Sequence, residues 1–169
     1  MTGDELVEVV GPDGSVQRVV TRAEMRAGRL RHRCTFVVVR SSDGRVLVHL
    51  RSPHKDLWPS RWDLCCGGVV TAGEDWEAAA RRELAEEVGV VAGPGSPPEL
   101  VPLGEVTYED DDVCEVGRVW TITHDGPFTF ADGEVVEARF VSVADLGAMM
   151  AELPFVADSA AVVAPLLAP

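Results

Sequence analysis

The sequence predicts an α/β fold: one mixed sheet with helices on both faces. Strand-like and helix-like segments are interspersed along the chain and are not sorted into separate halves. Turn signals join several strand-like runs as hairpins, so part of the sheet is antiparallel. At 169 residues the chain is long enough to bury one substantial core, and a single domain over residues 1–169 is expected.

Leu6–Val10 and Ser15–Val20 flank Gly11-Pro12-Asp13-Gly14, a hairpin signal. Thr21–Gly28 reads as a short helix with Thr21 as its N-cap, because a threonine hydroxyl satisfies one of the unpaired first-turn amides. Thr35–Arg40 and Arg45–Arg51 are strands around the turn Ser41-Ser42-Asp43-Gly44. A short strand covers Trp62–Cys66, and a glycine-rich loop and a helix follow. Ala92–Pro98 is a Gly/Pro-rich loop. Leu100–Tyr108 and Val113–Thr123 are strands around the acidic tip Glu109–Asp112. Val135–Val141 is a strand, and Val143–Leu153 and Asp158–Leu167 are helices. No internal repeat or low-complexity linker interrupts this order.

The most informative stretch is 68–90, GVVTAGEDWEAAARRELAEEVGV. A helix turns about 100° per residue, so Glu83 and Glu87 stack on one face and Glu86 lies beside Glu83. Like charges at this spacing destabilise a bare helix by roughly 0.2–0.5 kcal/mol per pair. Trp76, Ala80, Leu84 and Val88 form the stripe expected to face the core. On that wheel Glu83 and Glu87 border the buried face. Gly89 stands where a helix C′ glycine belongs. A carboxylate cluster at the core edge calls for positive charge: divalent metal ions and, through them, a phosphate-bearing substrate. Mg²⁺ takes oxygen ligands and keeps open positions, and glycines let backbone groups approach ions and phosphates closely. The bland alternative is a solvated acidic helix. Nine constrained positions matching together weigh against it.

Those nine positions are Gly68, Glu74, Arg82, Glu83, Leu84, Glu86, Glu87, Gly89 and Val90. The stretch resembles the Nudix box, G-x5-E-x7-R-E-U-x-E-E-x-G-U with U a bulky aliphatic residue, and departs from it nowhere. The resemblance implies an α/β/α sandwich, with 1–30 as an N-terminal hairpin and short helix, 31–150 as the core and 151–169 as a C-terminal helix. It implies Mg²⁺, or Mn²⁺ in its place, held by Glu83, Glu86, Glu87 and the Gly68 carbonyl. It implies hydrolysis of a diphosphate linkage in a small molecule such as a nucleoside diphosphate derivative. Glu83 and Glu86 then act in catalysis, while Arg82 and Glu74 pair to hold loop against helix. The general base stays open: Glu86, or a later glutamate, Glu115, Glu134 or Glu137.

A second resemblance precedes the box. Leu30-Arg31-His32-Arg33, the run Arg51–Pro59 and Trp62 look like isopentenyl-diphosphate isomerase, a Nudix-fold relative. Aligned without a gap from Trp62 to Glu74, its catalytic cysteine falls on Gly67 and a metal-ligand histidine on Val69. Cys66 is one residue early, which in a strand means the opposite face. His32 matches another of its metal-ligand histidines, and Glu115 its later catalytic glutamate. The chain thus resembles an isomerase-like branch of Nudix hydrolases, with isomerase activity or a non-catalytic ligand-binding module as alternatives. Arg51 and Lys55, with the backbone of Gly67 and Gly68, are the candidate substrate-binding groups. A lone His before a strand is more often structural, and Trp58 and Trp120 are read as core.

Net charge is −13, which argues against broad contact with nucleic acid. Residues 1–61 carry +4 and the remainder, which holds the box, −17, so the basic part is expected to supply phosphate-binding side chains to the same cleft. The N-terminus has no signal-peptide pattern, and the apolar tail is short and broken by Pro165, so no membrane association is expected. Cys34, Cys65, Cys66 and Cys114 lack metal-finger spacing and read as buried thiols of a cytoplasmic protein. The family resemblance leaves a homodimer open.

Overall fold

The computed structural model describes residues 3–91, 98–131 and 133–167. In order, the elements are β1 (Leu6–Val10), β2 (Val16–Thr21), α1 (Arg22–Ala27), β3 (His32–Arg40), β4 (Val46–Arg51), β5 (Trp62–Asp63), β6 (Cys66–Val69), α2 (Trp76–Val88), β7 (Val101–Glu109), β8 (Cys114–Thr123), β9 (Val135–Val141) and α3 (Val143–Glu152). Each helix starts on the residue its chemistry favours. Thr21, Asp75 and Ser142 cap α1, α2 and α3 by accepting from Glu24, Ala78 and Asp145 amides. Gly89 ends α2 at φ 71°, in the left-handed region.

The described strands form one mixed sheet centred on β3. Along one edge β3 runs parallel to β8, with His32 opposite Glu115 and Arg40 opposite Thr123. Its other contacts, with β1, β4 and β6, are antiparallel. Side chains alternate along β3. Cys34, Phe36 and Val38 enter one core layer with Met25 of α1, Leu146 of α3 and Phe155, Val163 and Leu167 of the C-terminal segment. Val37 and Val39 enter the other with Ala80, Leu84 and Val88 of α2. Helices therefore cover both faces, as an α/β/α sandwich requires.

Four local differences from the sequence expectation have physical causes. Strand β3 begins at His32, not Thr35, because parallel pairing with β8 extends it. The expected strand Trp62–Cys66 is broken, since Asp63 Oδ1 takes the Leu64 and Cys65 amides away from ladder pairing. The expected helix Asp158–Leu167 is a π turn over Ser159–Val163 followed by a 3₁₀ turn over Ala164–Leu167, with Pro165 lacking a donor. Trp76 is half-buried, stacked under the guanidinium groups of Arg33 and Arg118 at 5.2 and 5.0 Å. Most of the expected loop Ala92–Pro98 lies outside the described residues. No described helix is long and apolar enough to cross a membrane.

Leu84 is 2% exposed and anchors α2 to the sheet. Leu84→Ala is expected to lower unfolding free energy by about 2–5 kcal/mol, read from urea denaturation. A change within error would mean that α2 is not held by this layer.

Candidate active site

Two glycines let α2 lie against β6. In β6, Gly67 pairs with Phe36 and Gly68 with Thr35. A Cβ on Gly67 would collide with the Thr35 carbonyl oxygen, and one on Gly68 would come 2.6 Å from Glu83 Oε1. Both positions need a residue without a side chain. The Gly67 amide also donates to Glu87 Oε2 at 3.2 Å.

Glu83 and Glu87 are 2% and 1% exposed, so they sit inside the seam and not merely at its border. Burial pushes the Glu83 carboxyl up to about 7, against the pull of Arg82 and with a smaller push from Glu86. Burial, then the charge of Glu83, pushes Glu87 well above the ordinary carboxylate range. Arg82 holds the near side. It donates twice to Glu74, at 3.0 Å each, as the box resemblance implied, and also to Glu83 Oε1 at 2.6 Å and the Val69 carbonyl. Glu86 is exposed at the rim, 3.4 Å from Arg82. On the far side Lys55 Nζ lies 3.8 Å from Glu87 and pairs with Glu134, which ties Glu134 to the box. His49 Nε2 lies 3.9 Å from Glu87, but burial lowers its pKa to about 4, so it is a neutral neighbour.

This donor set fits a hard divalent ion. Glu83, Glu86 and Glu87 offer oxygen ligands, and two of them are buried like charges whose cost a divalent cation removes.

Several predicted residues also border a cavity. Arg51, Lys55, Gly67, Gly68 and Glu115 line a cavity of about 70 Å³, together with Arg22 and Arg26 of α1. Glu83, Glu86 and Glu87 do not line it. It lies where Cys34 and Phe36 face, across the sheet from α2. Glycines of β6 stand between the cavity and the box glutamates, and Lys55 reaches both. Arg51 donates to the Leu57 carbonyl and faces Asp63 at 3.6 Å. A wider groove of about 530 Å³ opens beside the cavity among Arg22, Arg26, His54, Lys55 and Glu134. Trp58 was expected in the core. It lines the cavity instead, at φ 47°, a strained conformation for a bulky side chain. Trp120 packs against the α2-side core as expected. Glu137 is exposed on β9.

Glu115 belongs to a second buried group. Its Oε2 accepts from Cys34 Sγ at 3.1 Å and lies 3.9 Å from His32 Nε2. Ligand-type atoms of His32, Cys34 and Glu115 all fall within 4.8 Å of one another. Asp158, from the C-terminal segment, hydrogen-bonds Glu115 and also lines the cavity. Sequence reasoning passed over Cys34, His49, Asp63 and Asp158 as functional groups. Three of them lie in or next to strands where polar residues break an apolar pattern. For Asp158 the sequence carries no local signal. All four cysteines are buried and free.

The NUDIX domain model matches residues 30–165, and the chain belongs to the Nudix hydrolase family. It is 35% identical over 162 residues to the uncharacterized Nudix hydrolase YfcD of Salmonella typhi, covering 94% of this chain and 83% of that one. It is also 35% identical over 162 residues to the uncharacterized Nudix hydrolase SCO1686 of Streptomyces coelicolor, covering 93% and 85%. The fold superposes on DR0079 from Deinococcus radiodurans with a TM-score of 0.79 at 24% identity, covering 96% of this chain and 97% of that one. Membership makes the chain an enzyme of the hydrolase class that acts on a phosphoanhydride.

The buried glutamates make stability depend on pH. A folded-state pKa of about 7 for Glu83, against an ordinary 4.5, means the native state binds this proton more tightly than the unfolded chain. The resulting stabilisation is present at low pH and lost as pH rises through 7. His32 and His49 act oppositely, but only below their ordinary value of 6.5. EDTA-treated protein is therefore expected to lose stability between pH 6.5 and 8.5 in urea melts. A flat or rising profile would contradict the buried-carboxylate description.

Proposed function

We propose that the enzyme is a Mg²⁺-dependent hydrolase, with Mn²⁺ as a substitute, that cleaves the diphosphate of a small molecule such as a nucleoside diphosphate derivative. The observation that carries this reading is the buried pair Glu83–Glu87 beside a box with all nine positions intact. Glu83, Glu86, Glu87 and the Gly68 carbonyl would hold the metal, which when bound neutralises the diphosphate and activates water. Arg82, locked to Glu74, fixes the pitch of the Glu83 carboxylate. Lys55 and Arg51 supply positive charge for phosphate oxygens. The proton of the attacking water passes to a carboxylate, the phosphorus–oxygen bond to the leaving group breaks, and the leaving oxygen takes up a proton.

Glu86, exposed beside Glu83, is the base this reading favours. Glu134 stands second because Lys55 ties it to Glu87. Glu115 is set aside, since Cys34 and Asp158 engage its carboxylate.

Placement in the isomerase-like branch rests on His32, Arg51–Pro59 and Trp62. Isomerase chemistry itself is disfavoured. Gly67 has no room for a cysteine side chain against the Thr35 carbonyl, and Val69, where the isomerase has histidine, is a core residue at 1% exposure. A cytoplasmic, single-domain enzyme without nucleic-acid or membrane partners completes the reading, supported by the acidic net charge and four free thiols.

A Mg²⁺/Mn²⁺ assay over nucleoside di- and triphosphates, nucleotide sugars, dinucleotides, coenzyme A and prenyl diphosphates, with product identification, tests the proposal. Hydrolysis of at least one diphosphate is expected. Glu87→Gln should lower its rate by about 100-fold or more with the fold retained by circular dichroism. Wild-type turnover in that variant, or dimethylallyl diphosphate as the sole product, would overturn the proposal.

A further inference from the structure

The loop that joins β6 to α2, residues 70–75, carries the box residue Glu74. Several of its partners precede the segment that the family model matches, which starts at residue 30. The Ala72 amide donates to the Leu6 carbonyl at 2.8 Å, and Val7 and Thr71 form an antiparallel bridge. The Thr71 hydroxyl donates to Glu5 Oε1 at 2.9 Å, and the Gly73 amide to Glu8 Oε1 at 3.1 Å. The first strand of the chain is therefore stitched along the loop that opens the box helix.

Glu8 breaks the apolar run of β1. Val7 and Val9 enter the core layer with Met25, so alternation turns Glu8 to the other face, the one α2 covers. Val9 pairs antiparallel with His32, which places Glu8 across from Arg33. Glu8 Oε2 lies 2.6 Å from Arg33 Nη2, and the two side chains are 13% and 14% exposed. The carboxylate is thus divided, with one oxygen on the loop amide and the other on Arg33. Arg33 is divided as well. Its Nη2 donates to the Glu74 carbonyl at 3.1 Å, and its guanidinium lies over Trp76, the first residue of α2. A β-branched residue would suit β1 as well as Glu8 does, so the carboxylate serves the loop and not the strand.

We propose that Glu8, acting through Arg33, is a positioning residue for the box carboxylates, a role that rests on the box holding a divalent cation. The path from Glu8 to Glu83 is short, and every step is a hydrogen bond with at least one charged partner. Glu8 holds Arg33, and Arg33 holds the Glu74 carbonyl. The Glu74 carboxylate holds Arg82, and Arg82 holds Glu83 Oε1. Without the Glu8 charge, the Arg33 guanidinium loses the anion that aims it at Glu74. The loop then takes positions in which Arg82 no longer sets the Glu83 carboxylate. A ligand carboxylate held less firmly binds its cation less tightly.

The test uses full-length, reduced protein stripped with EDTA. Mn²⁺ affinity is read by electron paramagnetic resonance, and loop order by amide hydrogen exchange on the metal-free samples. Glu8→Gln keeps an acceptor for the Gly73 amide and removes the charge that pairs with Arg33. It is expected to weaken Mn²⁺ binding about tenfold. Exchange at the Thr71 and Glu74 amides, which bond within the loop to Glu74 Oε2 and the Thr71 carbonyl, should quicken about tenfold. The Ala80 and Leu84 amides, in the middle of α2, should exchange as in wild type. Arg33→Lys keeps a positive charge opposite Glu8 but not the planar fork, and should behave like Glu8→Gln, with the double variant no worse than either single one. Glu105→Gln, which removes the exposed partner of Arg118 on the same Trp76 stack, should change neither readout. Wild-type affinity and loop exchange in both single variants, additive losses in the double, or equal acceleration through the whole of α2 would overturn the positioning role. A wild-type protein that binds no Mn²⁺ would overturn the cation reading of the box along with it.

Discussion

Glu83 and Glu87 stand one helical turn apart in the seam between α2 and β6, and much of the surrounding structure serves to keep two like charges there. The seam is narrow because Gly67 and Gly68 have no side chains, and a single Cβ on Gly68 would strike the Glu83 carboxylate. One edge is held by the Arg82 fork, whose bonds to Glu74 tie the loop before α2 to its middle turn. The other edge is held by Lys55 and by the Gly67 amide. His49 adds no positive charge, because burial keeps it neutral. Arg82 and Lys55 offset the carboxylate charge only in part, since burial still lifts both glutamates above their ordinary range. A divalent cation supplies what they leave uncompensated.

Strand β3 divides the molecule chemically as well as structurally. Its residues at 37 and 39 pack toward α2 and the acidic box, while those at 34, 36 and 38 pack toward α1, α3 and the C-terminal segment. Arg22, Arg26, Arg51 and Lys55 line the cavity on the second side, beside Asp56, Asp63, Glu115 and Asp158. Lys55 reaches from that side to Glu87.

Local signals read from the sequence matched local structure closely. Leu6–Val10 and Val135–Val141 have the expected bounds, Thr21 caps α1, and Gly89 ends α2. The box was legible because its chemistry sits on one helix and one adjoining loop, where spacing alone sets geometry. Features that depend on distant pairing were not legible. Nothing near Glu115 indicates that it pairs in register with His32 eighty-three residues earlier. Asp158 joins the same group through the path of the C-terminal segment, which no periodicity encodes. The depth of burial of Glu83 and Glu87 also escaped the helical wheel. A wheel places them at the border of the apolar stripe, and the two glycines of β6 then bring a second wall over them. The contact of His49 with Glu87 is hidden for a similar reason: alternation along β4 gives its direction but not the helix it meets.

The central claim is that the Glu83–Glu87 pair is kept for a cation at a cost to the metal-free fold. The most direct measurement is a Mn²⁺ titration by electron paramagnetic resonance on wild type and on the double variant Glu83→Gln/Glu87→Gln, paired with thermal melts of both in EDTA at pH 8. The account predicts that the double variant loses Mn²⁺ binding and melts at a higher temperature than wild type without metal. Retained Mn²⁺ binding together with a lower melting temperature would contradict it.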